Sequence, residues 1–269
     1  MSNDSSEPRS RIKLNQRLFK RRRGDAHPQG FGGPLRVVLN VLLIFIISQV
    51  VAIFLVGLGM RLANKPLSSL DNSAGLQFLY VFLAEGLAVG LVLLIVRHRK
   101  IGLSSIGLGR KPHWRDLLRA IIGFGIFYVL LIAASIILTL IFPNFDKGTQ
   151  DVGFNHLNGT AASLIAFVAL VILPPLGEEP LVRGYLYSGL RSRLKFVPAL
   201  IITSLLFGAA HLQTGAGTEV LWAAAANTFL LSVVLVYLRE KSGALYAGML
   251  VHMFNNAIAF SVHFHVHLF

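Results

Sequence analysis

The chain has 269 residues, of which 54% are hydrophobic and only 14% are charged, and its mean hydropathy is +0.66. Such values exclude an ordinary soluble domain, in which about 25% of the residues are charged. The sequence contains no cysteine, which excludes disulfides, Cys-ligated zinc or iron–sulfur sites and thiol nucleophiles. Lipid is therefore the expected solvent for most of the chain.

The apolar residues gather in blocks of about twenty, which is the length that an α-helix needs to cross a hydrocarbon core of about 30 Å. We therefore predict an all-α, polytopic transmembrane helix bundle with about seven spans, and an eighth re-entrant piece stays open. The predicted blocks are Leu35–Met60, Ala74–Val96, Leu117–Phe142, Thr160–Leu190, Phe196–Leu212, Val220–Leu238 and Ala244–Val262. The fourth contains three prolines and three charged residues, and the fifth is barely long enough to span.

The basic residues are concentrated in the segments that would lie on one side of the membrane if successive blocks cross it in opposite directions. Of the 25 Lys and Arg residues, 21 fall on one side, in residues 1–36, the loop 97–119, the loop 191–195 and the turn 239–241. Only Arg61, Lys65 and Lys147 fall on the other side, and Arg183 lies within the fourth block. Because cytoplasmic loops are enriched in Lys and Arg, this pattern predicts a cytoplasmic N-terminus and an external C-terminus.

The net charge of +13 is explained by this bias and by attraction to anionic lipid, so we expect lipid and no nucleic acid as partner. Residues 1–30 are predicted to be a disordered, basic cytoplasmic tail. Residues 31–142 then hold the N-terminal transmembrane helices with the cytoplasmic loop 97–119, and residues 143–269 hold the helices that carry most of the polar candidates. A short, strongly basic tail favours a bacterial plasma membrane, and the oligomeric state is left open.

Ionisable residues inside a membrane are costly and are therefore functional candidates. The candidates are Glu85, Glu178, Glu179, Arg183, His211 and His252, with Asn256 one turn after His252. Alone, a Glu–Arg pair often joins helices structurally, and a single histidine usually packs. Glu85 has no matched partner in sequence, so a structural or gating role is expected for it. The histidines at 263, 265 and 267 are expected to belong to a frayed terminus rather than to a metal site.

Helical geometry separates the two neighbouring glutamates. Glu179 and Arg183 are four residues apart in the favoured order and should form an ion pair. Glu178 points away from that face and is left to meet something outside its own helix. Pro180 withholds an N–H and should distort the helix beside the glutamates, as should Pro174 and Pro175. We expect freed carbonyl groups and a polar pocket at this point.

Three of these residues lie at a similar depth. Counted from basic cytoplasmic residues, Glu178 is 13 residues from Arg191, His211 is 16 from Lys195 and His252 is 13 from Arg239, which correspond to about 20, 24 and 20 Å. A carboxylate, two imidazoles and the carboxamide of Asn256 should therefore meet near the middle of the membrane. This coincidence favours a site over separate structural roles.

The segments Glu178–Gly184, Phe207–His211 and His252–Asn256 resemble the EExxxR, FxxxH and HxxxN motifs of the CPBP intramembrane proteases. That family includes CAAX prenyl endopeptidases and bacteriocin-processing or self-immunity proteins. The resemblance covers about residues 160–260, and Pro180 and Val182 depart from the usual pattern. It implies an intramembrane endopeptidase, with a peptide or a membrane protein as substrate, in which Glu178 is the general base for a water that His211 positions. His252 and Asn256 would donate to the oxyanion, and Glu179 with Arg183 would hold the helix.

Three alternatives stay open. Glu178, His211 and His252 could instead ligate zinc, although we assign no metal and expect no cofactor, since HExxH is absent. A catalytically weak immunity or regulatory protein would retain the fold without the reaction. A transporter would also place Glu, His and Asn beside proline-broken helices at mid-membrane.

Overall fold

A computed structural model describes residues 29–142, 152–212 and 222–264. These residues form seven long helices, which we number α1 to α7. Their bounds are Pro34–Leu62, Ala74–His98, Trp114–Ile141, Gly159–Arg191, Phe196–Ala209, Trp222–Ser242 and Tyr246–His263. Every predicted block thus corresponds to one helix, and the predicted all-α bundle is confirmed.

Five of the described helices, α1 to α4 and α6, are long and apolar enough to cross a membrane. Helix α5 has only 14 residues, about 21 Å of helix, and α7 has 18 residues with a polar face that includes His252 and Asn256. Seven blocks were predicted to span the membrane, and five of the corresponding helices have the length and composition that this requires. Helix α5 packs along α6, and Gly208 leaves room for the Ala225 carbonyl only 2.9 Å from where a Cβ would stand.

The outer faces of the long helices are apolar and exposed. On α3, exposed side chains include Ile121, Val129, Ile137 and Leu140, whereas the face that packs against α6 and α7 holds Ala120 and Phe127. In water such a surface would be very unfavourable, but in lipid it needs no cover. The chain is therefore an integral membrane protein.

Helix α4 is the centre of the bundle and contacts α1, α2, α5, α6 and α7. It is α-helical over Gly159–Phe167, Leu173–Glu179 and Tyr187–Arg191, with wider π-helical turns over Val168–Ile172 and Pro180–Leu186. Prolines cannot donate the usual hydrogen bond one turn back, and a π turn shifts the donors that remain. The predicted distortion at Pro180 thus takes the form of a π turn in a continuous helix.

The described residues begin at the end of the predicted tail 1–30. Residues 29–31 form a short 3₁₀ turn, and Phe31 is fully buried in the core between α1, α2 and α4. Arg99 donates to the Phe31 carbonyl at 3.0 Å, which ties this turn to the end of α2. Residues 1–28 lie outside the described residues.

Candidate active site

The predicted pair of Glu179 and Arg183 is confirmed and is fully buried. Nη1 of Arg183 donates to Oε1 of Glu179 at 2.8 Å, and the two side chains are 0% and 1% exposed. Nδ1 of His252, from α7, lies 3.2 Å from the same carboxylate oxygen. The first and third sequence motifs therefore meet on Glu179.

Phe207 connects the second motif to this cluster. The guanidinium carbon of Arg183 lies 4.1 Å from the centre of the Phe207 ring, which is a cation–π contact. The His211 and His252 rings pack against the same phenyl ring, at centroid distances of 4.8 and 6.0 Å. Phe207 is thus the side chain through which all three motifs touch, a role that sequence spacing alone did not reveal.

Glu178 faces a different environment from Glu179, as its position on the helix predicted. Its side chain is 24% exposed, and its Oε2 lies 3.9 Å from Nε2 of His252, beyond hydrogen-bond distance. That oxygen is buried and has no hydrogen-bond partner among the described residues. Oε2 of Glu179 has no such partner either, but the Glu179 side chain is only 1% exposed, so Glu178 is the glutamate of the pair that another molecule can reach.

The carboxylate of Glu178 lines a cavity of about 190 Å³ between α1, α2, α4 and α5. Most of the lining is apolar and includes Phe45, Leu181 and Leu206. His211 and Glu85 also line it. A mainly apolar cavity with a few convergent polar groups is the usual form of a small binding or catalytic site.

His211 lies in the turn after α5 rather than inside the helix as predicted. Its Nδ1 lies 2.8 Å from the Phe207 carbonyl, which can only accept, so Nδ1 carries the proton. In the neutral ring, Nε2 is then an acceptor. The contact with its own helix end therefore sets the tautomer of His211.

Asn256 forms a hydrogen bond with the backbone of α4. Its Nδ2 donates to the Leu170 carbonyl at 3.0 Å. The residues four and five positions after Leu170 are Pro174 and Pro175, and neither has an N–H to donate to that carbonyl. The predicted freed carbonyl is thus present and satisfied from α7. This contact uses one N–H of the carboxamide, and donation to an oxyanion stays a prediction.

Two glycines permit close approach of helices to the glutamates, and sequence analysis did not single them out. A Cβ on Gly248 would lie 3.2 Å from Oε2 of Glu179. A Cβ on Gly177 would lie 1.9 Å from Oε2 of Glu85, so any larger residue must displace that carboxyl group. Glu85, for which a structural or gating role was predicted, lines the cavity that Glu178 also lines.

The zinc alternative finds no support in the geometry. Within the described ranges, no three His, Asp or Glu side chains are grouped so that they could hold a metal ion. Of the C-terminal histidines, His263 ends α7, and those at 265 and 267 lie outside the described residues.

The family described as "Type II CAAX prenyl endopeptidase Rce1-like" matches residues 160–258, a range that contains all three motifs. An Escherichia coli protein, named only as an uncharacterized 24.3 kDa protein, is 30% identical over 184 residues, covering 65% of this chain and 76% of that protein. No solved structure matches significantly. Members of the matched family are intramembrane endopeptidases of CAAX type, which favours a peptidase over a transporter. The chain belongs to the CPBP family of CAAX-type intramembrane proteases.

Proposed function

We propose that this chain hydrolyses peptide bonds within the membrane and that Glu178 activates the attacking water. One observation carries the proposal. Of two neighbouring glutamates, Glu179 is occupied by Arg183 and His252, whereas Glu178 faces a cavity that it shares with His211. A general base needs a carboxylate in reach of water, and of these two neighbouring glutamates only Glu178 lines the cavity.

The hydrogen-bond inventory suggests how a water would be held. With its proton on Nδ1, neutral His211 offers Nε2 as an acceptor, and Glu178 offers a second acceptor. A water that donates to both would keep its oxygen lone pairs free to attack a carbonyl carbon. Transfer of one proton to Glu178 then forms the nucleophile, and the same carboxyl group can return the proton to the leaving amine.

His252 is assigned a supporting role. It stands between the two glutamates, with Nδ1 on Glu179 and Nε2 facing Glu178. Neither His252 nor Asn256 is among the described residues that line the cavity. Donation to an oxyanion by these residues therefore requires a bound peptide that reaches past Glu178, and alignment of the two glutamates is the role that the contacts favour.

The experiment is cleavage of membrane-embedded fluorogenic peptides by the purified full chain, comparing Glu178→Gln and His211→Ala with the wild type. We expect each variant to lose about 10²-fold or more in kcat, the usual scale for acid–base groups. The matched controls are Asp71→Asn and His98→Ala, whose side chains are exposed and remote from the cavity. Cleavage that survives Glu178→Gln would refute the mechanism.

A chelator tests the metal-free form of the proposal. Activity should be unchanged after incubation with a strong chelator, because we assign no cofactor. Loss of activity that added zinc restores would instead favour the zinc alternative, with Glu178, His211 and His252 as ligands.

A non-catalytic member is the second candidate, and it is favoured by the departures at Pro180 and Val182. Both residues are buried, and Val182 lines the cavity. Restoring the family pattern with Val182→Phe would add bulk at that wall. If the wild-type chain binds peptides but cleaves none, an immunity or regulatory role replaces hydrolysis.

The proposed topology follows from the basic loops and has a cytoplasmic N-terminus and an external C-terminus. Seven crossings give this result and keep the turn 239–241 on the same side as the loop 97–119, where Arg239 donates to the Ser105 carbonyl at 2.8 Å. We propose a bacterial plasma membrane as the location. Alkaline phosphatase fusions at residue 112 and at the C-terminus should be inactive and active, respectively, and the reverse pattern would overturn the orientation.

A further inference from the structure

Glu85 lies near the middle of α2, and no cationic side chain among the described residues pairs with its carboxyl group. It lies 11 residues after the start of α2 at Ala74 and 13 before its end at His98, which places it about 17 to 20 Å along the helix from either end. Among the described residues, no Lys, Arg or His forms an ion pair with it. An isolated charge at this depth is unfavourable, so Glu85 must keep a proton or share one.

Two observations relate Glu85 to Glu178. The Glu85 carboxyl group lies on the surface that Gly177 leaves open, one residue before Glu178 on α4. Both residues also line the same cavity. Because a Cβ at position 177 would overlap the Glu85 carboxyl group, α2 and α4 can pack this closely only with glycine there.

The other titratable groups around Glu85 each contact a different partner. On its own helix, Tyr80 donates to the Gln49 side chain of α1. On α4, Glu179 is paired with Arg183. The histidines are contributed by α5 and α7: Nδ1 of His211 is used by the Phe207 carbonyl, and His252 lies against Glu179. None of these groups neutralises Glu85 directly.

We propose that Glu85 and Glu178 form a carboxyl pair that holds one proton between them, with Glu85 as the protonated member. Like charges in an apolar cavity repel, and one shared proton removes that repulsion while leaving Glu178 ionised as a base. In this pair the O–H of Glu85 would donate to Oε2 of Glu178, which has no donor among the described residues. Glu85 is thus a positioning residue for Glu178, and the inference rests on the proposed function of Glu178.

Two substitutions at position 85 separate this role from simple packing. Gln is neutral and can donate a hydrogen bond, as protonated Glu85 does, whereas Leu has a similar size but cannot donate. We expect Glu85→Gln to keep kcat within a few-fold of wild type at neutral pH and Glu85→Leu to lose at least ten-fold in kcat with little change in KM. Equal kcat values for the two variants would overturn the proposal, provided that both melt at the wild-type temperature.

The pH profile gives a second kinetic readout. When Glu85 loses its proton at alkaline pH, the pair carries two negative charges, and we expect the wild-type rate to fall. Gln cannot ionise, so Glu85→Gln should lack that alkaline fall. An alkaline fall that persists unchanged in Glu85→Gln would contradict the shared proton.

Infrared spectroscopy tests the pair without any reliance on activity. The resting wild-type protein, with ¹³C-labelled glutamate, should show the carbonyl band of a protonated carboxyl group at neutral pH. Glu85→Gln should lose that band, and Glu178→Gln should keep it. A band that is absent from the wild type, or that disappears in Glu178→Gln alone, would overturn the proposal.

The two proposals fail in different ways. If Glu178→Gln abolishes cleavage but the infrared band is absent, the carboxyl pair is wrong and the role of Glu178 stands. If Glu178→Gln leaves cleavage intact, the proposed mechanism is wrong whatever the spectrum shows.

Discussion

Arg183→Met isolates the contribution of the buried ion pair at the centre of α4. Arg183 and Glu179 are almost completely buried and 2.8 Å apart, so the substitution leaves the Glu179 carboxylate in the interior with only His252 beside it. Breaking one side of such a pair costs about 3–5 kcal/mol of unfolding free energy. The contact between Arg183 and Phe207 is lost as well. Against a typical total of about 5–15 kcal/mol, this is a severe destabilisation.

The double variant Glu179→Gln/Arg183→Met should be more stable than Arg183→Met alone. It removes both charges together, and replacing a whole buried pair with neutral groups is often close to neutral. Arg191→Met is the matched control, because the pair between Arg191 and Glu240 is 3.2 Å long but 16% and 17% exposed. We expect that control to cost less than Arg183→Met, because both of its side chains keep some contact with solvent.

The assay is equilibrium unfolding in mixed micelles, followed by circular dichroism and by tryptophan fluorescence. The reasoning would be refuted if Arg183→Met cost no more than Arg191→Met, or if the double variant were no more stable than Arg183→Met. Restored stability should not restore cleavage, because His252 loses its charged partner in the double variant.

Two further predictions concern contacts between helices. Gly177→Ala should lower the free energy of unfolding by about 1–3 kcal/mol, because its Cβ would overlap the Glu85 side chain. Displacement of Glu85 should also reduce kcat. Gly90→Ala is the control, since the space around Gly90 is open, and it should change neither quantity. Thermal unfolding and kcat measured side by side check this, and a harmless Gly177→Ala would contradict the close approach. Asn256→Ala should destabilise the fold by about 1–3 kcal/mol, because the Leu170 carbonyl would lose its donor. A variant of unchanged stability and reduced kcat would instead favour the oxyanion role for this carboxamide.

The helices and their order could be predicted from the sequence because they depend on local properties. A run of about twenty apolar residues must form a helix in lipid, where every backbone group needs an internal partner. The same locality explains why the pair of Glu179 and Arg183, four residues apart on one helix, was predicted correctly. The prolines near residue 170 likewise predicted that carbonyl groups would be freed.

Contacts between helices could not be predicted in the same way, because they depend on how each helix is rotated and how closely two backbones approach. Nothing near Glu85 in the chain reveals that it meets Gly177, almost a hundred residues away. The donor for Leu170 comes from α7, and Phe207 joins Arg183 to two histidines from different segments. The helical segments, the apolar blocks and the candidate site residues are therefore local properties that can be recognised in the sequence. The packing of the helices places Glu178 in the cavity with Glu85 and His211, and it buries Glu179 against Arg183.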